Sequence, residues 1–137
     1  MKILLIGKNG QVGWELNRTL LTLGELAAVD FPQIDLSDMQ SLRKYIHQAK
    51  PDLIVNAAAY TNVDKAESEP DLANLINGVA PGVMAEEARR LGAALIHYST
   101  DYVYNGTKGT PYVETDAPDP VNAYGASKLM GDRAIEQ

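Results

Sequence analysis

The stretch K-I-L-L-I-G-K-N-G-Q-V-G, residues 2–13, decides how this chain folds. Lys2 to Ile6 is a short apolar run without alternation, the pattern of a strand covered on both faces. It leads directly into Gly7, Gly10 and Gly13, three glycines at three-residue spacing. Beyond them Trp14, Leu16, Leu20, Leu21 and Leu23 recur at roughly helical intervals, so a helix is predicted to open at the loop. A strand, a glycine turn and a helix start together offer free backbone N–H groups and a positive helix end, a setting suited to phosphate. Gly7 allows the tight turn, Gly10 lets the backbone come close to a pyrophosphate, and Gly13 lets helix and strand pack closely. Leu26 to Val29 gives a second apolar strand ending at Asp30. Asp30 stands 23 residues after Gly7, near the ~20 that separate a glycine loop from a ribose-binding acid. Dinucleotide binding is the expectation.

The chain has 137 residues, enough for one domain with a core and too few for two. Hydrophobic residues make up 45%, a globular composition. Twelve basic against 18 acidic residues give net −6, with no cluster of positive charge, which argues against nucleic acid or an anionic membrane surface as partner. Cysteine is absent, so disulfides and thiol catalysis are excluded and a reducing compartment is the default. The N-terminal apolar run is too short for a signal-peptide core, and none approaches the ~20 residues of a membrane span. A cytoplasmic protein is expected.

Along the chain, Phe31-Pro32-Gln33 reads as a turn and Ser37 as the N-cap of a helix burying Leu42, Tyr45 and Ile46. Leu53-Ile54-Val55 is a third strand, ending in Asn56-Ala57-Ala58-Ala59. The acidic run from Asp64 to Asp71 reads as a solvated face. From Pro70 a long helix is predicted, with Leu72, Leu75, Ile76, Val79, Val83, Met84 and Ala88 on its buried side, a kink or two abutting helices at Pro81, and its end at Gly92. Ala94 to Ser99 is a fourth strand, Thr100 to Pro120 a long functional loop, and a last helix opens at Val121-Asn122. Met84 and Met130 read as core. The β-α repetition predicts an α/β, Rossmann-like, doubly wound parallel sheet with helices on both faces. Such an architecture needs further strands and a place for substrate, so residues 1–137 are expected to be the NAD(P)-binding Rossmann domain of a longer protein, its C-terminal substrate-binding part absent.

Three groups could do chemistry. Tyr124 and Lys128 are four apart and share a helix face, where an ammonium would stabilise a phenolate and bring its pKa toward the working range. The alternative is a chance pair. Ser99-Thr100-Asp101 ends the fourth strand, where hydroxyls can bond a substrate oxygen or cap a turn. Ala57, Ala58 and Ala59 leave room for a flat ring or ribose, or for helix–sheet packing. His47 and His97 read as structural, and no spacing of His, Cys or Asp reads as a metal site.

The motifs G-K-N-G-Q-V-G-W-E-L, V-N-A-A-A-Y-T-N-V-D-K-A-E, A-P-G-V-M-A-E-E-A, H-Y-S-T-D-Y-V-Y-N-G and Y-G-A-S-K resemble the extended short-chain dehydrogenases/reductases, and within them the dTDP-4-dehydrorhamnose reductases. The resemblance covers essentially every residue, although that family's chains run to about twice this length. It implies NAD(P)H-dependent reduction of the C4 keto group of dTDP-4-dehydro-L-rhamnose, the last step of dTDP-L-rhamnose synthesis for cell-wall polysaccharide. Tyr124 would donate the proton, Lys128 would hold the nicotinamide ribose and tune Tyr124, and Thr100 would bind the carbonyl oxygen. Gly7, Gly10, Gln11 and Val12 would wrap the pyrophosphate, Asp35 with Leu36 would hold the adenine, and Asn9 would also bind the cofactor. Asp30, Ala57, Ala58, Ala59, Tyr60 and Asn77 would complete the cofactor site. Thr61, Val63, Thr100, Tyr102 and Tyr124 would line the substrate site. Asn77-Gly78 stands where the family more often has Asn-Ala. The implied partner is a small nucleotide sugar, with a homodimer at natural length. Mg²⁺ in the family would have no site in these residues. Asp30 favours NADH and Lys8 the 2′-phosphate of NADPH, so dual use is expected. Two other readings remain open: an NAD(P)-binding regulatory subunit like the β subunit of methionine adenosyltransferase, and another nucleotide-sugar epimerase or dehydratase.

Overall fold

A computed structural model describes residues 1–136 of the chain. Four strands, β1 (Lys2–Ile6), β2 (Glu25–Val29), β3 (Leu53–Asn56) and β4 (Ala94–His97), form one parallel sheet in the order β2-β1-β3-β4. The register aligns Ile6 with Val29 and Asn56, and Asn56 with His97. All four carboxyl ends therefore lie along one edge. The chain leaves β1 toward β2 on one side and meets β3 on the other, which makes the β1/β3 boundary the switch point of the sheet.

Alternate side chains of each strand serve opposite faces. On one face Leu4, Ile6 and Ile54 pack with Leu42 and Ile46 of α2 (Met39–Ala49) and with Val83, Met84 and Ala88 of α5 (Ala80–Leu91). On the other, Ile3, Leu5 and Val55 pack with Leu16 of α1 (Gln11–Thr19) and with Leu20 in the 3-10 turn that follows. Helices thus cover both faces, as the β-α rhythm predicts.

Several local expectations are corrected. Trp14 is 66% exposed, as are most of Leu21 and Leu23, because the buried side of α1 is the narrow i, i+3, i+7 stripe of Gly13, Leu16 and Leu20. The N-cap of α2 is Asp38, whose carboxylate accepts from the N–H groups of Gln40 and Ser41, both at 3.0 Å. Ser37 instead donates its hydroxyl to Asp35. β4 closes at His97 rather than Ser99, whereas the acidic stretch keeps to expectation, with Asp64, Glu67 and Asp71 exposed around a short helix, α3 (Val63–Ala66).

The long helix predicted from Pro70 is three pieces: α4 (Pro70–Asn74), a π turn (Leu75–Val79) and α5. Ala80 N–H reaches back five residues to the Leu75 carbonyl. Pro81 has no N–H to give the Asn77 carbonyl, so the irregularity precedes the proline instead of centring on it. That freed carbonyl is where α6 (Ala123–Ile135) approaches, since a Cβ on Gly131 would lie 2.1 Å from it. Beside this crossing Met130 lies over Gly78; it is 43% exposed and not core.

Candidate functional site

The chain turns at Gly7 with φ +92°, a conformation that favours glycine. A Cβ there would also strike the backbone N of Ala58 at 2.5 Å, so the glycine loop rests on the chain leaving β3. A Cβ on Gly13 would come within 1.8 Å of the Gly7 carbonyl, which fixes how closely α1 sits behind the strand. Gly7 and Lys8 donate to the Val29 carbonyl, at 2.9 and 3.3 Å, and Asn9 N–H donates to Asp30 Oδ2 at 2.9 Å. Asp30 thereby ties the loop to the end of β2. Gly10 caps α1 without a side-chain partner, and Gln11 and Val12 in its first turn are exposed. The loop is a cradle of backbone with a helix N-terminus at its floor, and it fits a pyrophosphate. Lys8 Nζ lies 3.0 Å from Gln33 Oε1, within the same corner.

Beside the loop, Asp30, Ile34, Asp35, Leu36, Ala58 and Ala59 border a cleft of about 210 Å³. The Leu36 side chain is buried in the core. Ser37 donates to Asp35 through both hydroxyl and backbone N–H, which holds the carboxyl below its usual range. Ala57, Ala58 and Ala59 are half-buried on the same strand-end edge.

The second half of the site assembles around α6. Asn122 caps the helix by accepting from Gly125 N–H at 2.7 Å, and Glu67 accepts from Ala123 N–H at 2.7 Å. Gly125 lets α6 meet the 3-10 turn Asp101–Val103, since a Cβ there would lie 2.2 Å from the Tyr102 carbonyl. Thr100 caps that turn through Tyr102 N–H, and the Tyr102 and Tyr124 rings meet edge-to-face at 5.5 Å. Thr100, Tyr102, Tyr124 and Lys128 are thus gathered at the end of β4. Thr61 is exposed and Val63 half-buried at the start of α3, which contacts α6.

Lys128 is 2% exposed. Its Nζ donates to the Tyr98 carbonyl at 2.5 Å and lies 3.1 Å from His97 Nε2. Burial pushes its pKa down, while the carboxylate of Asp132 acts the other way. Burial, then the charge of Lys128, lowers His97 to about 4.

Asn77 is 1% exposed and every polar atom of its side chain is engaged. Its Oδ1 accepts from Tyr60 N–H at 2.8 Å, and its Nδ2 donates to the Tyr60 carbonyl and to Ser127 Oγ, each at 3.0 Å. Ser127 in turn donates to the Tyr124 carbonyl at 2.7 Å. Tyr60 Oη donates to Glu69, which also pairs with Lys65 at 2.9 Å. Glu67 and Glu69 therefore anchor structure instead of merely facing solvent. Sequence reasoning missed Asn56, His97 and Ser127 as parts of this assembly. The spacing of Ser127 three residues after Tyr124, on the buried side of α6, was the available signal.

A hollow of about 370 Å³ between Lys2, Glu25, Tyr45 and Pro51 lies at the amino ends of the strands, away from these groups. Among the described residues, no group of three or more His, Cys, Asp or Glu could hold a metal ion, and no helix is long and apolar enough to cross a membrane.

Comparison with known proteins agrees with this geometry. Over 137 residues the chain is 53% identical to the dTDP-4-dehydrorhamnose reductase of Burkholderia thailandensis, covering 100% of this chain and 46% of that protein. It is 49% identical to the Escherichia coli K12 protein of the same name, again over 100% of this chain and 47% of the relative. The crystal structure of dTDP-4-dehydrorhamnose reductase from Bacillus anthracis in complex with NADP superposes with a TM-score of 0.92 at 34% identity, over 98% of this chain and 49% of that one. The chain spans about half the length of the curated relatives it matches. With a cradle of glycines at β1, a Tyr/Lys helix at β4 and a match over residues 1–137, the chain belongs to the RmlD substrate binding domain family.

Proposed function

We propose that the natural-length protein reduces the C4 keto group of dTDP-4-dehydro-L-rhamnose to dTDP-L-rhamnose with NADPH or NADH, and that residues 1–137 form its cofactor-binding domain. When bound, a reduced nicotinamide supplies the hydride. Tyr124 Oη gives its proton to the carbonyl oxygen as that oxygen becomes an alkoxide. Thr100 Oγ1 donates a hydrogen bond to the same oxygen, and Lys128 holds the nicotinamide ribose and favours the phenolate that Tyr124 leaves behind. Gly7, Asn9, Gly10, Gln11 and Val12 hold the pyrophosphate, and Asp30, Asp35 and Leu36 with the alanines after β3 hold the adenosine end. Tyr60 and Asn77 support that wall. Thr61, Val63 and Tyr102 face the sugar.

The observation that supports this reading most is the gathering of Tyr124, Lys128 and the Thr100 turn on the strand-end edge that also carries the glycine cradle. The test is consumption of NADPH by the natural-length protein with dTDP-4-dehydro-L-rhamnose. Tyr124→Phe is expected to lower kcat by about 10²–10⁴-fold while the dinucleotide still binds. Unchanged turnover in that variant would remove Tyr124 from its role. Dinucleotide binding without turnover of this sugar would favour the regulatory-subunit reading.

A further inference from the structure

A single exposed phenylalanine is common on protein surfaces and by itself points to nothing. Phe31 differs in how its backbone is held and in what its ring borders. It is 70% exposed and follows Asp30, just beyond β2. Both oxygens of the Asp30 carboxylate are taken by backbone: Oδ1 accepts from Phe31 N–H at 2.8 Å and Oδ2 from Asn9 N–H at 2.9 Å. The Asp30 carbonyl accepts from Gln33 N–H at 2.8 Å and from Ile34 N–H at 3.2 Å. Lys8 of the glycine loop donates to the Gln33 side chain. Residues 30–34 are therefore a closed turn fastened to the glycine loop, and Phe31 is carried on fixed backbone while its ring stays largely in solvent.

The ring stands at the edge of the cleft proposed above for the adenosine end of the dinucleotide. The other apolar residues lining that cleft are Ile6, Ile34, Leu36, Ala58, Ala59 and Ile76. Ile6, Ile34 and Leu36 are buried, and Ala58, Ala59 and Ile76 half-buried. Among the described residues that line the cleft, Phe31 is the one aromatic and the one largely exposed. The volume of about 210 Å³ lies below the ~300 Å³ at which pockets take drug-sized ligands, so the cleft admits one ring system and not a whole dinucleotide. Small alanines let a flat ring come close. Asp35, held ionised by the Ser37 hydroxyl and N–H, offers only acceptors, and so suits a ring edge that carries N–H donors. Adenine has such an edge in its exocyclic amine, and two π faces besides.

We infer that Phe31 is an adenine-binding residue whose ring stacks on the base from the solvent side of the cleft, with Ala58 and Ile76 on the protein side. Stacking on an aromatic ring tolerates any base, so Asp35 selects the base and Phe31 supplies affinity. The fastened turn leaves only the two side-chain torsions of Phe31 to be ordered when the base arrives, which keeps the cost of binding small.

This inference deepens the proposed reduction and rests on its reading of residues 1–137 as a cofactor-binding domain. The test is ligand binding by the natural-length protein and its Phe31→Ala and Phe31→Trp variants, with NADPH, 5′-AMP and reduced nicotinamide mononucleotide. Phe31→Ala is expected to weaken NADPH and 5′-AMP by a common factor on the order of tenfold, and to leave the mononucleotide, which has no adenine, unchanged. Phe31→Trp is expected to bind NADPH within about threefold of the unmodified protein. On adding 5′-AMP it is also expected to lose tryptophan emission that the unmodified protein keeps. Urea midpoints of the three proteins are expected to coincide, since so exposed a side chain adds little to folding. Equal NADPH and 5′-AMP affinity in Phe31→Ala and the unmodified protein overturns the inference and leaves the cofactor-binding domain standing. A loss shared by the mononucleotide, or one that comes with a lower urea midpoint, overturns it as well, because it marks a structural role. An unmodified protein that binds none of NADPH, NADH and 5′-AMP overturns the cofactor-binding reading itself.

Discussion

Replacing Asn77 with alanine cuts the link between the chain leaving β3 and the helix that carries Tyr124. Three hydrogen bonds are lost: two with the Tyr60 backbone and one with Ser127 Oγ. A broken bond of this kind costs about 1 kcal/mol net, and more where the orphaned partner stays dry. Ser127 is fully buried, whereas Tyr60 is only half-buried and its backbone can recover water. Alanine returns about 0.5 kcal/mol through its better helix propensity. The expected loss is roughly 2–3 kcal/mol in urea unfolding of the natural-length protein. Ser127→Ala removes one of the same bonds, so the double variant is expected to lose less than the two singles added together. A loss under about 1 kcal/mol for Asn77→Ala, or strict additivity in the double variant, would show that the network does not tie these elements together.

Other outcomes follow from the same geometry. Gly13→Ala puts a methyl 1.8 Å from the Gly7 carbonyl, so the loop must open; a cost of about 1–3 kcal/mol and weaker NADPH binding by fluorescence titration are expected. His97 has its pKa lowered to about 4 in the fold from about 6.5, so the folded protein takes up that proton less readily than the unfolded chain. Its contribution is complete above pH 6.5 and is lost as pH falls from 6.5 toward 4, and His97→Phe is expected to flatten that stretch of the urea-midpoint profile. Asp30→Asn removes the charge that repels a 2′-phosphate but keeps an oxygen for Asn9 N–H, so the ratio of NADPH to NADH affinity is expected to rise.

The strands were legible because each is an apolar run too short for a helix, and the glycine loop because its residue types answer a steric demand. Gly7 and Gly13 sit where a Cβ would collide with backbone, and spacing alone could find them. Trp14 was not legible, because it follows Gly13 by one residue, about 100° around the helix, and faces solvent. The choice between Ser37 and Asp38 as cap turned on Asp35, which draws the Ser37 hydroxyl to itself. Tyr124, Lys128 and Thr100 could be picked out by type and spacing. Their surroundings could not, since Asn56, His97 and Lys128 come from three separate elements, and only the sheet register brings the first two side by side. A lone histidine in a strand carries no mark of what its two nitrogens will meet.

The π turn has a consequence for how this chain tolerates insertion and deletion. Each residue in a helix advances the phase by about 100° and the axis by 1.5 Å. Deleting one residue between Leu75 and Val79 would replace the five-residue reach by ordinary α-helical spacing up to the gap that Pro81 leaves in the ladder. It would also turn α4 and everything before it by a quarter revolution relative to α5, disturbing the packing of α4 on α6 and the bond from Ala123 N–H to Glu67. The extra residue thus acts as a phase shifter that lets two helical segments with different faces serve one sheet edge. A change of one residue in this segment is therefore a rotation of the helix before it, not a local adjustment.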